Sequence, residues 1–303
     1  MRGFFLFLSR RRWLRRWMET SYLGKRMSAR FVAGETLERA IAVARRINSE
    51  GIQVTLDYLG ENVSSLEEAA ASRDAYLEAL SAVCANGIQA YLSIKLTQFG
   101  MDFSSAICRD NVEQLVRAAG EKGEFIRVDM ESSAYTERTF ELVADIHSRF
   151  PGSVGCVVQA YLYRSAKDIE RLCQQGIRVR LCKGAYLEPH NVAYPRKADV
   201  DRNYLRLMNV LLVHGSSPAI ATHDERIVEE TKRFAALQGI SPGRFEFQML
   251  YGVRRDLQRR LVRQGYRVRV YVPFGKAWYP YFMRRLAERP ANVVFLARNL
   301  LRR

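Results

Sequence analysis

From about residue 36 onward, two hydrophobic periodicities alternate along the chain. ETLERAIAVARRIN repeats apolar positions three to four residues apart, the spacing of a helix with one buried face. IQVTLDYLGE follows as a short β-branched run that ends in turn residues. The pair of signals then recurs. SSLEEAAASRDAYLEALSAV, NVEQLVRAAG, YTERTFELVADIHSRF and KDIERLCQQG read as helices, with IQAYLSIKL, EFIRVDMES and VGCVVQAYL between them as strands. IRVRLCKGAY, PAIATHDE, RFEFQMLYG and RVRVYVPFG continue the strands, and WYPYFMRRLAER supplies a last helix. The strands are almost continuously apolar, as strands are when helices cover both faces of a parallel sheet. Eight strand–helix units over roughly 240–260 residues predict an α/β fold of the (β/α)₈ barrel type. A doubly wound open sheet is the alternative, but no G-x-G-x-x-G follows the first strand and no phosphate-binding P-loop is present. The predicted division is an arm over residues 1–35 and a barrel over residues 36–303.

Polar residues fall at the ends of these apolar runs. Asp57 and Glu61 close the first strand, Lys95 the second, Asp129 and Glu131 the third, and Gln159 the fourth. The fifth carries Arg180 and then Lys183-Gly184-Ala185-Tyr186. Thr222-His223-Asp224 ends the sixth, the seventh carries Glu246 and Gln248, and the eighth offers Tyr271. In a barrel such ends converge on one rim, where active sites of this fold lie. A lone charge in an apolar strand is usually a structural ion pair, but several on consecutive strands predict a ligand site. On the last helix Tyr281, Arg284, Arg285 and Glu288 share one face, which suits a carboxylate clamp beside an aromatic wall.

Charge adds a second theme. The formal net charge is +16, and it sits at the two ends. Residues 1–30 hold nine Arg/Lys against one Glu, and residues 251–303 hold fourteen against two acids. Within the arm Trp13, Leu14, Trp17 and Met18 recur at helical spacing, with Arg11, Arg12, Arg15 and Arg16 on the other side. That pattern predicts either a helix lying on an anionic membrane or one that docks on the barrel. A solvated basic rim is the plainer reading of the charge. No apolar run approaches the ~20 residues of a membrane span. The five scattered Cys form no C-x-x-C pair and predict buried free thiols, and the four His show no metal spacing.

Taken together, these residues resemble the proline dehydrogenase family over about residues 50–300. The motifs are IKL at Lys95, VDMES at Asp129, VVQAY at Gln159, RLCKGAY from Arg180, KADVD around Lys197, ATHDE at His223, FEFQMLYG, and the Tyr281/Arg284/Arg285/Glu288 helix. The resemblance implies an FAD-dependent enzyme of the monofunctional type, binding its flavin without a Rossmann domain. Its reaction would be oxidation of L-proline to Δ1-pyrroline-5-carboxylate by hydride transfer from C5 to flavin N5, with electrons passed to a membrane quinone.

By the same resemblance, Asp129 and Arg180 are the catalytic pair, and Asp129 orients Lys95 or Arg180. Lys95, Arg284 and Arg285 hold the substrate carboxylate. Tyr271, Tyr281, Leu250 and Tyr186 wall the proline ring. Met130, Gln159, Arg180, Lys183, Gly184, Ala185, Thr222, His223 and Glu288 meet the cofactor. Glu61 pairs with Arg284 as a gate. Leu187 departs from the family, since some relatives carry an aromatic residue there. A pyrroline-5-carboxylate dehydrogenase is a candidate partner, no nucleic acid is expected, and the expected location is cytoplasmic, peripheral on the inner face of the membrane. Two other functions stay open on the residues alone. A Schiff-base aldolase would use Lys95 or Lys183 as nucleophile, and a non-enzymatic basic module would bind nucleic acid.

Overall fold

The computed structural model describes residues 12–21, 24, 27–60 and 63–288. Eight parallel strands close into a barrel in chain order: β1 (Gln53–Tyr58), β2 (Ala90–Ile94), β3 (Ile126–Val128), β4 (Val154–Gln159), β5 (Arg178–Cys182), β6 (Ala219–Ala221), β7 (Glu246–Leu250) and β8 (Arg267–Phe274). β8 closes on β1 with Thr55 opposite Tyr271 and Asp57 opposite Pro273. Among the described residues, two helices precede the barrel, α1 (Arg12–Thr20) and α2 (Leu37–Asn48). The crossovers are α3 (Leu66–Ala85), α4 (Ser105–Glu121), α5 (Thr136–Arg149), α6 (Ser165–Gln174), α7 (Lys197–His214), α8 (Glu225–Leu237) and α9 (Arg255–Arg263), and α10 (Trp278–Glu288) follows β8. The predicted barrel is therefore the observed one.

Local chemistry explains where several helices start. Ser65, Ser104 and Asp224 take extended backbone and accept from the amide nitrogens of Glu68, Ile107 and Arg226, satisfying donors that the first turn leaves free. The core lies between strands and helices, built from residues such as Leu56, Tyr76, Leu80, Val112, Val143, Leu207, Phe247 and Val270.

Inward-facing residues alternate along each strand, so the barrel interior is filled in layers. Its lower layer is polar. Arg269 donates to Glu246 (3.0 and 3.2 Å), to the Val54 carbonyl (2.8 Å) and to Gln53 (2.7 Å). Its guanidinium also lies 3.5 Å from the Tyr91 ring centre. Arg127 reaches across to the carbonyls of Cys156 (2.9 Å) and Arg178 (2.5 Å). Gly155 makes room for it, because a Cβ there would stand 2.9 Å from Arg127 Nη1 and 2.3 Å from the Arg178 carbonyl. Burial alone would raise the Glu246 carboxyl, but the Arg269 charge and hydrogen bond hold it at about 2.

A smaller cluster joins the N-terminal segment to the last helix. Met18, Phe31 and Val32 pack with Trp278, Phe282 and Met283. Met18 is thus buried, whereas Trp13 and Trp17, predicted to share its face, stay 70% and 51% exposed. All five cysteines are free, but only Cys108 and Cys156 are buried; Cys84, Cys173 and Cys182 are half-buried, so the expectation of buried thiols holds for two.

Candidate active site

The tops of the strands surround a cavity of about 520 Å³. Two ion pairs organise it. Lys95, just past β2, donates to both oxygens of Asp57 on β1 at 2.9 and 3.1 Å. Asp57 is fully buried. Burial pushes its carboxyl up, and the Lys95 ammonium pulls it back. The second pair joins Arg180 on β5 to Asp129, just past β3, at 2.6 Å. Ser93 on β2 donates to the same Asp129 oxygen (2.7 Å), and Tyr271 on β8 donates to the other (2.8 Å). The Arg180 guanidinium also lies 5.4 Å from the Tyr271 ring centre. Burial, then the Asp129 and Asp57 charges, lift the Tyr271 phenol well above its ordinary value, so it stays a hydrogen-bond donor.

Of the two partners expected for Asp129, the bond runs to Arg180, while Lys95 is held by Asp57. Parallel pairing puts the ends of β1 and β2 side by side, so a residue 38 positions away reaches Lys95 first. Asp57 entered the sequence reading only as a strand end. Its burial within an apolar run was the signal that it needed a partner.

Every expected site residue whose side chain is described lines this cavity: Lys95, Asp129, Met130, Gln159, Arg180, Lys183, Gly184, Ala185, Tyr186, Thr222, His223, Leu250, Tyr271, Tyr281 and Arg285. Glu61 and the side chains of Arg284 and Glu288 lie outside the described residues. Val157, Cys182, Ala221 and Met249 also line the cavity but were not foreseen. Val157 precedes Gln159 by two positions, and strand alternation could have found it. Three described strand-end acids do not line the cavity: Asp57, held against Lys95, and also Glu131 and Glu246. Glu131 accepts from the Thr97 amide (3.1 Å) and hydroxyl (2.7 Å), clamping the turn after β2. Glu246 stands at the start of β7 and belongs to the lower layer of the barrel.

The remaining polar residues are held by their neighbours. Lys183 donates to Asp201 (2.6 Å) and Asp224 (3.3 Å). His223 Nε2 accepts from the Leu250 amide at 2.8 Å, which assigns its proton to Nδ1. Arg285 lies 5.0 Å from the Tyr281 ring centre. Leu187 is 70% exposed. Gly184 has φ +108°, and a Cβ there would meet the Tyr161 ring at 2.3–2.6 Å. Gly184→Ala is therefore expected to destabilise the fold by about 1–3 kcal/mol, through left-handed strain and ring overlap. Urea unfolding of the variant checks this, and an unchanged midpoint would mean the loop re-forms freely.

Gln159 Oε1, Arg180 Nε and Arg180 Nη2 are buried in the wall and meet no partner among the described residues. Buried donors and acceptors of this kind need a ligand or water. Apolar walls, convergent charges and unmet hydrogen bonds at the top of a barrel define a small-molecule enzyme site.

Known proteins make the class specific. A family profile described as "Proline dehydrogenase" matches residues 40–298. The chain is 43% identical over 280 residues to "Proline dehydrogenase" of Deinococcus radiodurans, covering 91% of this chain and 90% of that one. It is 37% identical over 302 residues to "Proline dehydrogenase 2" of Bacillus subtilis (strain 168), covering 100% and 99%. Among solved structures it resembles proline utilization A (PutA) from Bdellovibrio bacteriovorus inactivated by N-propargylglycine, with TM-score 0.81 and 28% identity over 86% of this chain and 32% of that one. The chain belongs to the proline dehydrogenase family, and with it to the oxidoreductases of that type.

Proposed function

We propose that this protein, as a monofunctional member of its family, oxidises L-proline to Δ1-pyrroline-5-carboxylate with FAD as cofactor and a membrane quinone as final electron acceptor. The observation that carries the reading is the meeting of Lys95, Asp129, Arg180, Tyr271 and Arg285 around one cavity.

The wall fits a flavin. Gln159 Oε1 offers an acceptor and Arg180 Nε and Nη2 offer donors, as the polar edge of a heteroaromatic ring system requires. Gly184 lines the same space, and its left-handed backbone (φ +108°) there rests against the Tyr161 ring. FAD, when bound, supplies the two-electron acceptor for the hydride that leaves proline C5. Met130, Gln159, Arg180, Lys183, Gly184, Ala185, Thr222 and His223 would hold it, with Glu288 assigned to it by family resemblance.

The chain's own residues do the positioning. Arg285 and Lys95 bind the proline carboxylate, with Arg284 by resemblance, and Glu61 closes over Arg284. Asp57 fixes the Lys95 ammonium in place through both carboxylate oxygens. Tyr281, Leu250, Tyr186 and Tyr271 wall the ring and exclude water. Asp129 holds Arg180 and the Tyr271 hydroxyl in one orientation. The Arg180 charge then favours the negative charge that develops beside it.

An aldolase reading fares less well. A Schiff-base nucleophile needs an amine free to reach its carbonyl, yet Lys95 donates to both oxygens of Asp57 and Lys183 to Asp201 and Asp224. A basic nucleic-acid module leaves the buried acids at the strand tops without a role.

The purified protein should show flavin absorbance that bleaches when L-proline is added without oxygen. A colourless protein, or bands that proline leaves unchanged, overturns the proposal. Arg285→Met should raise the proline KM at least tenfold, equivalent to about 1.4 kcal/mol or more of lost binding, with flavin content intact. An unaltered KM would remove Arg285 from the clamp.

We place the enzyme on the inner face of the cytoplasmic membrane, held by the basic arm and C-terminal region, where a quinone is within reach. Among the described residues no helix is long and apolar enough to cross a membrane. Exposed Trp13 and Trp17 are the candidate anchors. The Trp13→Ser/Trp17→Ser variant should lose most of its co-sedimentation with anionic liposomes, and equal binding would discard the arm. Product hand-over to a separate pyrroline-5-carboxylate dehydrogenase completes the reading.

A further inference from the structure

We infer that a second cavity, away from the rim, is a binding site for a phosphate-type anion. It holds about 470 Å³ and is walled by Arg30, Arg46, Glu50, Tyr251, Arg255 and Arg259. The chain brings these residues from three places. Arg30 lies ahead of α2, Arg46 and Glu50 lie on and just beyond α2, and Arg255 and Arg259 lie on α9. Tyr251 and Gly252 come from the β7–α9 loop, whose Leu250 lines the rim cavity.

Among the described residues, the guanidiniums of Arg46, Arg255 and Arg259 face one carboxylate here, with Arg30 beside them. Glu50 spends both oxygens on two of them, accepting from Arg255 (2.5 Å) and Arg259 (2.8 Å). The Arg259 hydrogen bond, with Arg255 adding to it against the effect of burial, holds the Glu50 carboxyl below its ordinary range, so it is ionised and fully used. Arg46 donates instead to the neutral Tyr251 phenol at 3.0 Å, and Arg30 Nε to the Gly252 carbonyl at 3.1 Å. Arg255 Nη1 is buried and meets no acceptor. The Tyr251 oxygen accepts from Arg46, which leaves its own proton to donate.

Like charges around one hollow repel unless an anion sits among them. A phosphate group suits this arrangement. It carries up to two negative charges against the surplus, and it has enough oxygens to accept from Arg46, Arg255 Nη1 and the Tyr251 hydroxyl together. A carboxylate brings one charge and fewer acceptors. The backbone beside the hollow has little freedom, since a Cβ on Gly252 (φ +73°) would stand 1.9 Å from the Arg30 carbonyl oxygen. An anion held here braces the β7–α9 loop against α2 from outside the rim cavity. The phosphate could belong to a soluble molecule or to a lipid headgroup.

Thermal unfolding of the full chain in sodium phosphate, against sodium chloride at equal ionic strength, tests the inference. A parallel arm measures co-sedimentation with phosphatidylcholine vesicles with and without phosphatidate. Phosphate at about ten times its Kd should raise Tm by roughly 2–3 °C. Arg46→Gln and Tyr251→Phe, both outside the catalytic cavity, should weaken the effect at least tenfold in phosphate concentration, and Arg255→Gln should do so further. Arg46 is exposed, so its variant keeps the fold even if Arg255→Gln does not. A phosphate response lost in Arg46→Gln identifies a soluble ligand. A response to phosphatidate vesicles alone, lost in the same variant, identifies a headgroup. No response beyond chloride and no vesicle preference overturns the site, as does a response that all three variants retain.

Discussion

On the proposed flavin-dependent reaction, Asp129→Ala is expected to lower kcat by about 10²–10³ while the protein stays folded and its cofactor content is unchanged. The argument starts from burial. Arg180 and Asp129 expose only 8% and 12% of their side chains, so their attraction is weakly screened. Arg180 has one short bond to a carboxylate and two further nitrogens that are buried and, among the described residues, without partners. Without the carboxylate, the guanidinium loses the contact that aims those nitrogens. Tyr271 and Ser93 lose their acceptor in the same step. The loss belongs to positioning of charge in the transition state, so KM for proline should move less than kcat. Asp129→Asn separates charge from shape. If the charge matters, Asn falls close to Ala; if Asn restores wild-type turnover, Asp129 is a spacer only. Stopped-flow bleaching by proline reads the step directly.

The second large effect is on stability. Glu246→Gln should destabilise the barrel by about 3–5 kcal/mol at neutral pH, because Arg269 is left as a buried charge without its counter-ion. That is a large share of the roughly 5–15 kcal/mol that holds a typical domain together. The pH dependence follows from the same pair. The folded-state pKa of Glu246 is depressed to about 2 from an ordinary 4.5. Its contribution is therefore fully present above the unfolded value and is lost as pH falls from about 4.5 towards 2. A shift of that size is linked to about 3 kcal/mol. Urea midpoints of wild type and Glu246→Gln should thus differ most above pH 5 and converge as pH approaches 2. A gap that stays constant over this range would show that Glu246 is not held ionised by Arg269.

Much of the candidate site was legible because its signals are local. Asp129, Gln159, Lys183 and His223 stand at the ends of apolar runs, and a parallel barrel carries such ends to one rim. The Tyr281/Arg285 pair was legible because residues four apart share a helix face, and both side chains do line the cavity. Pairings across strands were legible only in part. Asp57 meets Lys95 over 38 positions, a pair the sequence did not suggest; for Asp129 the resemblance offered Lys95 or Arg180, and strand neighbours and register decide for Arg180, 51 positions away. The same limit misassigned Glu246. A glutamate at the first position of a short strand looks much like one at the last, yet the two lie at opposite ends of the barrel.

Sequence by itself determined the eight-unit barrel, because periods of 2 and about 3.6 in apolar residues record which faces must leave water. It also determined which residue types gather at the rim. Tertiary structure alone decided the partners: which carboxylate neutralises Lys95, that Arg127 and Arg269 share a polar layer below the site, and that Met18 is buried while Trp13 and Trp17 are not. The reason is physical. Burial of an apolar face depends on spacing along one segment, whereas the energy of a charge depends on what stands a few ångströms away across the barrel, and only closure of the sheet sets that distance.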